Sequence, residues 1–259
     1  MRIGILEAGH NAQALALRFG RFFDNFERWL RVHDEEFPLE LKPYWVENGE
    51  LPARIDECDG YIITGSAAAV YENHAWLAAL HDFIHAAIDA RIKLLGVCFG
   101  HQLIVDALGG RVEKSAKGWG IGRHSYALTK QLPWMDPPLP SFSLLACHQD
   151  QVVELSAGAQ VLASSEFCQY AMLAIGKRVL TVQAHPEFSA DYAAGLYEHR
   201  RECFGDALTQ RGLESLAEHT DGEAFARWAL RFFIDDVVRQ SAHDTSLRVH
   251  LNQVETVNE

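Results

Sequence analysis

The sequence predicts an α/β protein: an open, mostly parallel sheet flanked by helices, with a small antiparallel β region inserted late and helices closing the C-terminal part. Three observations carry that expectation. Short apolar runs recur along the chain, helix-length segments separate them, and between Gly110 and Ala174 the texture changes to Gly- and Pro-punctuated pieces rich in β-formers. Brief continuous apolar runs suit strands buried on both faces. Their alternation with helices is the pattern of a layered α/β domain.

Arg2–Glu7, Leu39–Val46, Gly60–Thr64, Lys93–Val97 and, later, Val179–Ala184 read as strands of the main sheet. Between the third and fourth, Trp76–Ile92 carries Leu77, Leu80, Phe83, Ile84, Ala87 and Ile88 at near-helical spacing, which turns one apolar face toward the sheet. In the inserted region Arg123–Leu128, Ser141–Ala146 and Gln151–Leu155 predict antiparallel hairpins beside the main sheet. Asp191–Gly222 reads as helical packing just past the last strand. Thr220-Asp221-Gly222-Glu223 then has a capping-box pattern, with Phe225, Trp228, Ala229, Phe232 and Phe233 following on one helix face as core residues. One domain over residues 1–240 and a polar tail over 241–259 are expected.

Composition narrows the function. With 259 residues, 48% of them hydrophobic, the chain can close a sizeable core without disulfides or metal. Its 23 Lys and Arg against 35 Asp and Glu give a net charge of −12, which disfavours nucleic acid or an anionic membrane as partner. Five cysteines at Cys58, Cys98, Cys147, Cys168 and Cys203 are odd in number and lack CxxC spacing, so reduced thiols in a cytoplasm are expected. No secretory leader or membrane-length apolar stretch is read from the sequence.

Chemistry concentrates at two places. Gly96-Val97-Cys98-Phe99-Gly100-His101-Gln102 follows an apolar strand and precedes the apolar segment Leu103–Leu108, placing Cys98 on a strand-to-helix turn. A sharp turn of this kind exposes a nucleophile, and strand and helix pass so closely that only small residues fit two positions to either side. A lone cysteine is ordinarily a small buried hydrophobe; the strand, the glycines and the helix start change that reading. The free N–H groups at the helix start favour a thiolate and a developing oxyanion. The second place is the end of the Val179–Ala184 strand, where His185-Pro186-Glu187 sets an imidazole and a carboxylate two residues apart. Alternate residues of an extended segment share a face. His185 can therefore serve as base and acid for Cys98 while Glu187 orients the ring.

With these residues in view, the sequence resembles the class I glutamine amidotransferase family, on the GxCxGxQ elbow, the distant His-Pro-Glu, and the segment Cys147-His148-Gln149-Asp150-Gln151-Val152 between them. The resemblance spans roughly residues 1–190 and implies a flavodoxin-like fold. It implies that Ile63-Thr64-Gly65-Ser66-Ala67 is the oxyanion loop, with Ser66 and Ala67 departing from the family's usual residues, so that the backbone N–H groups of Ser66 and Phe99 bind the oxyanion. Gly65 and Gln102 then contact substrate, and His148 and Asp150 organise the site. The implied activity is hydrolysis of the glutamine side-chain amide through a γ-glutamyl thioester, with ammonia passed to a separate synthase subunit. A stand-alone hydrolase of γ-glutamyl conjugates and a non-catalytic regulatory subunit are the alternatives. No cofactor is expected: His81 and His85 have zinc-helix spacing but no third ligand, and Gly118, Gly120 and Gly122 do not open a helix after a strand, which makes that segment a mobile loop at the site's edge.

Overall fold

Alternate residues of the first strands point into two different cores. Ile3 and Ile5 pack on one face of the sheet with Ile62, Leu95 and Val97, whereas Leu6, Tyr61, Ile63 and Leu94 pack on the other. That is the side-chain alternation of strands buried on both sides. The structure, a computed structural model, describes residues 1–235; the expected domain end at residue 240 and the polar tail 241–259 lie outside the described residues.

Five strands form the parallel half: β1 (Arg2–Glu7), β2 (Glu40–Trp45), β3 (Gly60–Ile63), β4 (Lys93–Val97) and β11 (Val179–Val182). The nine-stranded order is β2-β1-β3-β4-β11-β10-β9-β6-β7, where β6 is Gly120–Leu128, β7 Ser141–His148, β9 Ala159–Ser164 and β10 Met172–Ile175. From β10 onward the pairing is antiparallel. Most of the inserted β region thus extends the main sheet, because β10 pairs directly with β11. Only β5 (Arg111–Lys114) and β8 (Asp150–Glu154) form the separate antiparallel pair. The expected mobile glycine loop is also revised: Gly120 and Gly122 lie within β6, where Gly122 takes φ 83° and its N–H donates to the Tyr197 hydroxyl.

Helices cover both faces. The predicted helix is α3 (Ala75–Asp89), which packs with α4 (Phe99–Ala107) on one face. The other face is covered by α2 (Phe22–Leu30) and α8 (residues 222–235), through Phe26, Trp29, Phe225 and Trp228. The sequence reading passes over α1 (Gln13–Phe19) and α2. The expected start of α8 is correct, but Asp221 uses its carboxylate to accept the Ser143 N–H at 2.7 Å instead of capping the helix, while its carbonyl accepts from Phe225. Asp191–Gly222 contains α5 (Ala190–His199), α6 (Arg201–Phe204) and α7 (Asp206–Ser215), packed on a third core with Ile121, Leu145 and Tyr197.

Register aligns the strand ends. Val182 pairs with Val97, and Ile63 with Gly96. The segments after β3, β4 and β11 therefore leave the sheet together at its carboxyl edge, where open α/β sheets carry their sites.

Candidate active site

Cys98 sits between β4 and α4 with φ 53° and ψ −101°, a conformation that residues with a Cβ rarely adopt. Three backbone hydrogen bonds hold the turn. Cys98 N–H donates to the Val182 carbonyl at 2.8 Å, Gln102 N–H to the Cys98 carbonyl at 3.1 Å, and Gly100 N–H to the Thr64 carbonyl at 3.2 Å. A Cβ on Gly96 would stand 2.5 Å from the Gly100 carbonyl oxygen, and one on Gly100 would stand 2.3 Å from that of Ile63. The turn closes only with glycine at both positions.

Opposite the thiol, His185 N–H donates to the Leu145 carbonyl at 2.8 Å, pinning the residue beside β7. Its Nδ1 lies 2.7 Å from Glu187 Oε1, and its ring stacks on Phe188 with centroids 3.9 Å apart. The imidazole and the Cys98 side chain flank Gly65 from the same side, within 4 Å of the point its Cβ would take. Burial alone would hold the ring neutral. The Glu187 carboxylate and the Cys98 sulfur outweigh it and push His185 up to about 10. All three residues are buried, with 5% to 8% exposure. A carboxylate, an imidazole and a thiol in line can store a proton and move it to and from sulfur.

The loop after β3 lies against this group. A Cβ on Gly65 would meet the His185 ring at 2.9 Å and the Cys98 Cβ at 3.8 Å. Thr64, which the sequence reading did not single out, fixes the loop: its hydroxyl accepts the Ala8 N–H and donates to the Gly65 carbonyl. Ser66 uses its own hydroxyl to accept the Ala68 N–H. The N–H of Phe99, at the first position of α4, has no intrahelical acceptor.

Gln102 is nearly buried. Its amide group donates to the Asp150 carbonyl at 2.8 Å and to Gln183 Oε1 at 3.1 Å, so what it offers a ligand is its oxygen, an acceptor. His148 Nδ1 lies 3.2 Å from the Asp150 carbonyl, and burial holds that ring neutral, down at about 3. The zinc-spaced pair stands elsewhere, with His81 3.5 Å from Asp106. Two cavities open at the carboxyl edge. The smaller, about 160 Å3, is lined by Cys98, Phe99, Gln102, Lys114 and His148. The larger, about 330 Å3, is lined by Gly65, His185 and Glu187 together with residues of α1, α2 and α5. Ser66, Ala67, Cys147 and Arg200 line both. Sequence patterning gave no signal for the larger cavity, since its walls come from five separate segments.

Residues 22–196 match the family described as glutamine amidotransferase class-I. Gamma-glutamyl peptidase 3 of Arabidopsis thaliana is 29% identical over 198 residues, covering 73% of this chain and 78% of that protein. The glutamine-hydrolysing GMP synthase of Dehalococcoides mccartyi is 33% identical over 131 residues, which cover 49% of this chain and 23% of the synthase. Among solved structures, a glutamine amidotransferase from Thermotoga maritima superposes with a TM-score of 0.72 at 18% identity, covering 92% of this chain and 98% of that one. That likeness shows the shared fold.

Proposed function

Because the chain belongs to the class I glutamine amidotransferase family, we propose that it cleaves a γ-glutamyl amide bond with Cys98 as nucleophile, His185 as proton carrier and Glu187 as the group that orients and charges the imidazole. The observation that carries this reading is the buried line from Glu187 through His185 to a thiol held on a strained elbow.

The γ-glutamyl group enters the smaller cavity. Its α-ammonium meets the oxygen of Gln102, Gly65 leaves room for the His185 ring beside it, and its scissile carbonyl lies over Cys98. Sulfur attacks the carbonyl carbon with its proton on His185. The oxyanion is held by the N–H groups of Ser66 and Phe99, donors fixed before charge develops. Collapse breaks the C–N bond as His185 gives its proton to the leaving nitrogen, and a γ-glutamyl thioester remains on Cys98. Water then attacks the thioester, its proton passing to His185 and on to the departing sulfur, and glutamate leaves.

The departing nitrogen is ammonia if the substrate is glutamine and an amine if it is a γ-glutamyl peptide. The name of the peptidase relative favours the second; the match to part of a GMP synthase favours the first, with a separate synthase subunit as the ammonia acceptor. A soluble cytoplasmic setting fits the charge and the free thiols. No described helix is long and apolar enough to cross a membrane.

The test is glutamate release from glutamine and from γ-glutamyl peptides by wild type and Cys98→Ala, with mass spectrometry of the Cys98 peptide after acid quench. Loss of turnover in the variant and a γ-glutamyl adduct on Cys98 are expected. Wild-type turnover by Cys98→Ala would overturn the mechanism.

A further inference from the structure

The cavity on the His185 side is far larger than glutamine hydrolysis requires. Ammonia is close in size to water, for which a cavity of about 10–15 Å3 suffices on the same measure, while this cavity holds about 330 Å3. Cys98 lines the smaller cavity, His185 lines the larger, and Ser66, Ala67, Cys147 and Arg200 form their common wall. An imidazole that protonates a departing nitrogen stands on the leaving side of the scissile bond. Whatever is attached to that nitrogen therefore points into the larger cavity.

The lining gives the chemistry of that group. Leu15, Phe22, Phe26, Phe188 and Leu196 supply apolar wall. Most polar groups there are committed: Asn11 to Tyr192 and Gly20, Asn25 to Arg28, Glu47 to His10, Glu187 to His185. Arg200 and His199, adjoining at the end of α5, have no carboxylate partner among the described residues. The Arg200 guanidinium lies over the rings of Trp119 and Phe204, at 4.6 and 5.2 Å from their centroids. Its Nη1 donates to the Cys147 sulfur at 3.9 Å, which leaves its charge without a counter-ion. Apolar walls with basic groups that no carboxylate neutralises match an apolar body that carries a carboxylate.

We propose that this cavity is the leaving-group site, and that the substrate class is a γ-glutamyl conjugate of an apolar amino acid, its side chain against Leu15, Phe22 and Leu196 and its carboxylate toward Arg200. The proposal rests on the γ-glutamyl reading of the Cys98 site. The reaction balances as above: the C–N bond breaks, the nitrogen takes the His185 proton, the free amino acid leaves, and water completes the glutamate carboxylate.

The experiment measures kcat/KM of the full-length chain for glutamine, γ-Glu-Gly, γ-Glu-Phe and γ-Glu-phenethylamide, the last retaining the ring without the carboxylate. γ-Glu-Phe is expected to exceed γ-Glu-Gly and glutamine by about ten- to a hundred-fold, the worth of burying one aromatic side chain. Removal of the carboxylate is expected to reduce kcat/KM about tenfold. Leu196→Trp narrows the cavity and is expected to shrink the γ-Glu-Phe to glutamine ratio about tenfold. Ala12→Phe, on the loop before α1, blocks the same space without replacing a core residue, should Leu196→Trp fold poorly. Equal kcat/KM for γ-Glu-Phe and glutamine, or a ratio unmoved in both variants, overturns the leaving-group assignment. Turnover of glutamine alone overturns it too while leaving the γ-glutamyl reading standing. Failure of all four compounds to react overturns that reading, and this one with it.

Discussion

Cys98 holds φ 53° and ψ −101° because the chain must turn from β4 into α4 within one residue. For a residue with a Cβ, such a conformation costs about 1–3 kcal/mol. Glycine adopts it more readily. Cys98→Gly is therefore expected to abolish turnover yet raise the melting temperature by roughly 2–4 °C, read by thermal melts beside a glutamate-release assay. An unchanged or lower melting temperature would place no strain at the elbow. Glu187 acts at the same scale by holding the imidazole ring at 2.7 Å and charging it. Glu187→Gln keeps the shape and removes the charge, and kcat is expected to fall by about 10²- to 10⁴-fold with a folded protein by circular dichroism.

Elements meet at this site through backbone atoms, so small side-chain changes move whole segments. A methyl group at Gly100 would lie 2.3 Å from the Ile63 carbonyl oxygen, and neither atom belongs to a flexible side chain. Gly100→Ala is expected to push α4 away from β3, costing about 1–3 kcal/mol in urea unfolding and most of the activity. At the far end of the chain, the Asp221 carboxylate ties the start of α8 to β7 through the Ser143 N–H. Asp221→Ala leaves that largely buried amide unpaired, a loss of about 1–3 kcal/mol. Since Asp221 stands outside both cavities, kcat is expected to hold; a large drop would couple α8 to the chemistry.

Across the whole molecule, buried histidines shape the response to pH. His101 and His148 are held neutral by burial, each down at about 3, whereas an unfolded imidazole titrates near 6.5. Between those values the unfolded chain binds more protons. Stability is therefore expected to fall as pH drops below about 6.5, with a slope of up to about 1.4 kcal/mol per pH unit for each histidine. His185 acts in the opposite sense. With a folded value of about 10, it contributes stability that is complete below about 6.5 and is lost as pH rises through about 10. Urea midpoints measured across that range are expected to trace a maximum near neutrality. A profile flat between about pH 4 and 6.5 would mean that the two neutral histidines gain protons without unfolding.

By itself the sequence determined what local pattern can encode. The strand runs, the helix Ala75–Asp89, the glycine-flanked cysteine and the His-x-Glu pair each lie within a few consecutive residues, so turn sterics and side-chain periodicity specify them. The meeting of Cys98 with His185 depended on the register Val182 to Val97, which brings two strands together across more than eighty residues. Gly120 and Gly122 of the glycine-rich stretch joined strand β6 because a long antiparallel partner in β7 outweighed their composition, while Gly118 stayed in the turn before it. Thr64's hold on the loop and the larger cavity were likewise decided only by tertiary structure. The apolar residues of α1, α2 and α5 that line the cavity carry the same pattern as residues that fill a core, and only the packed arrangement leaves the space between them empty.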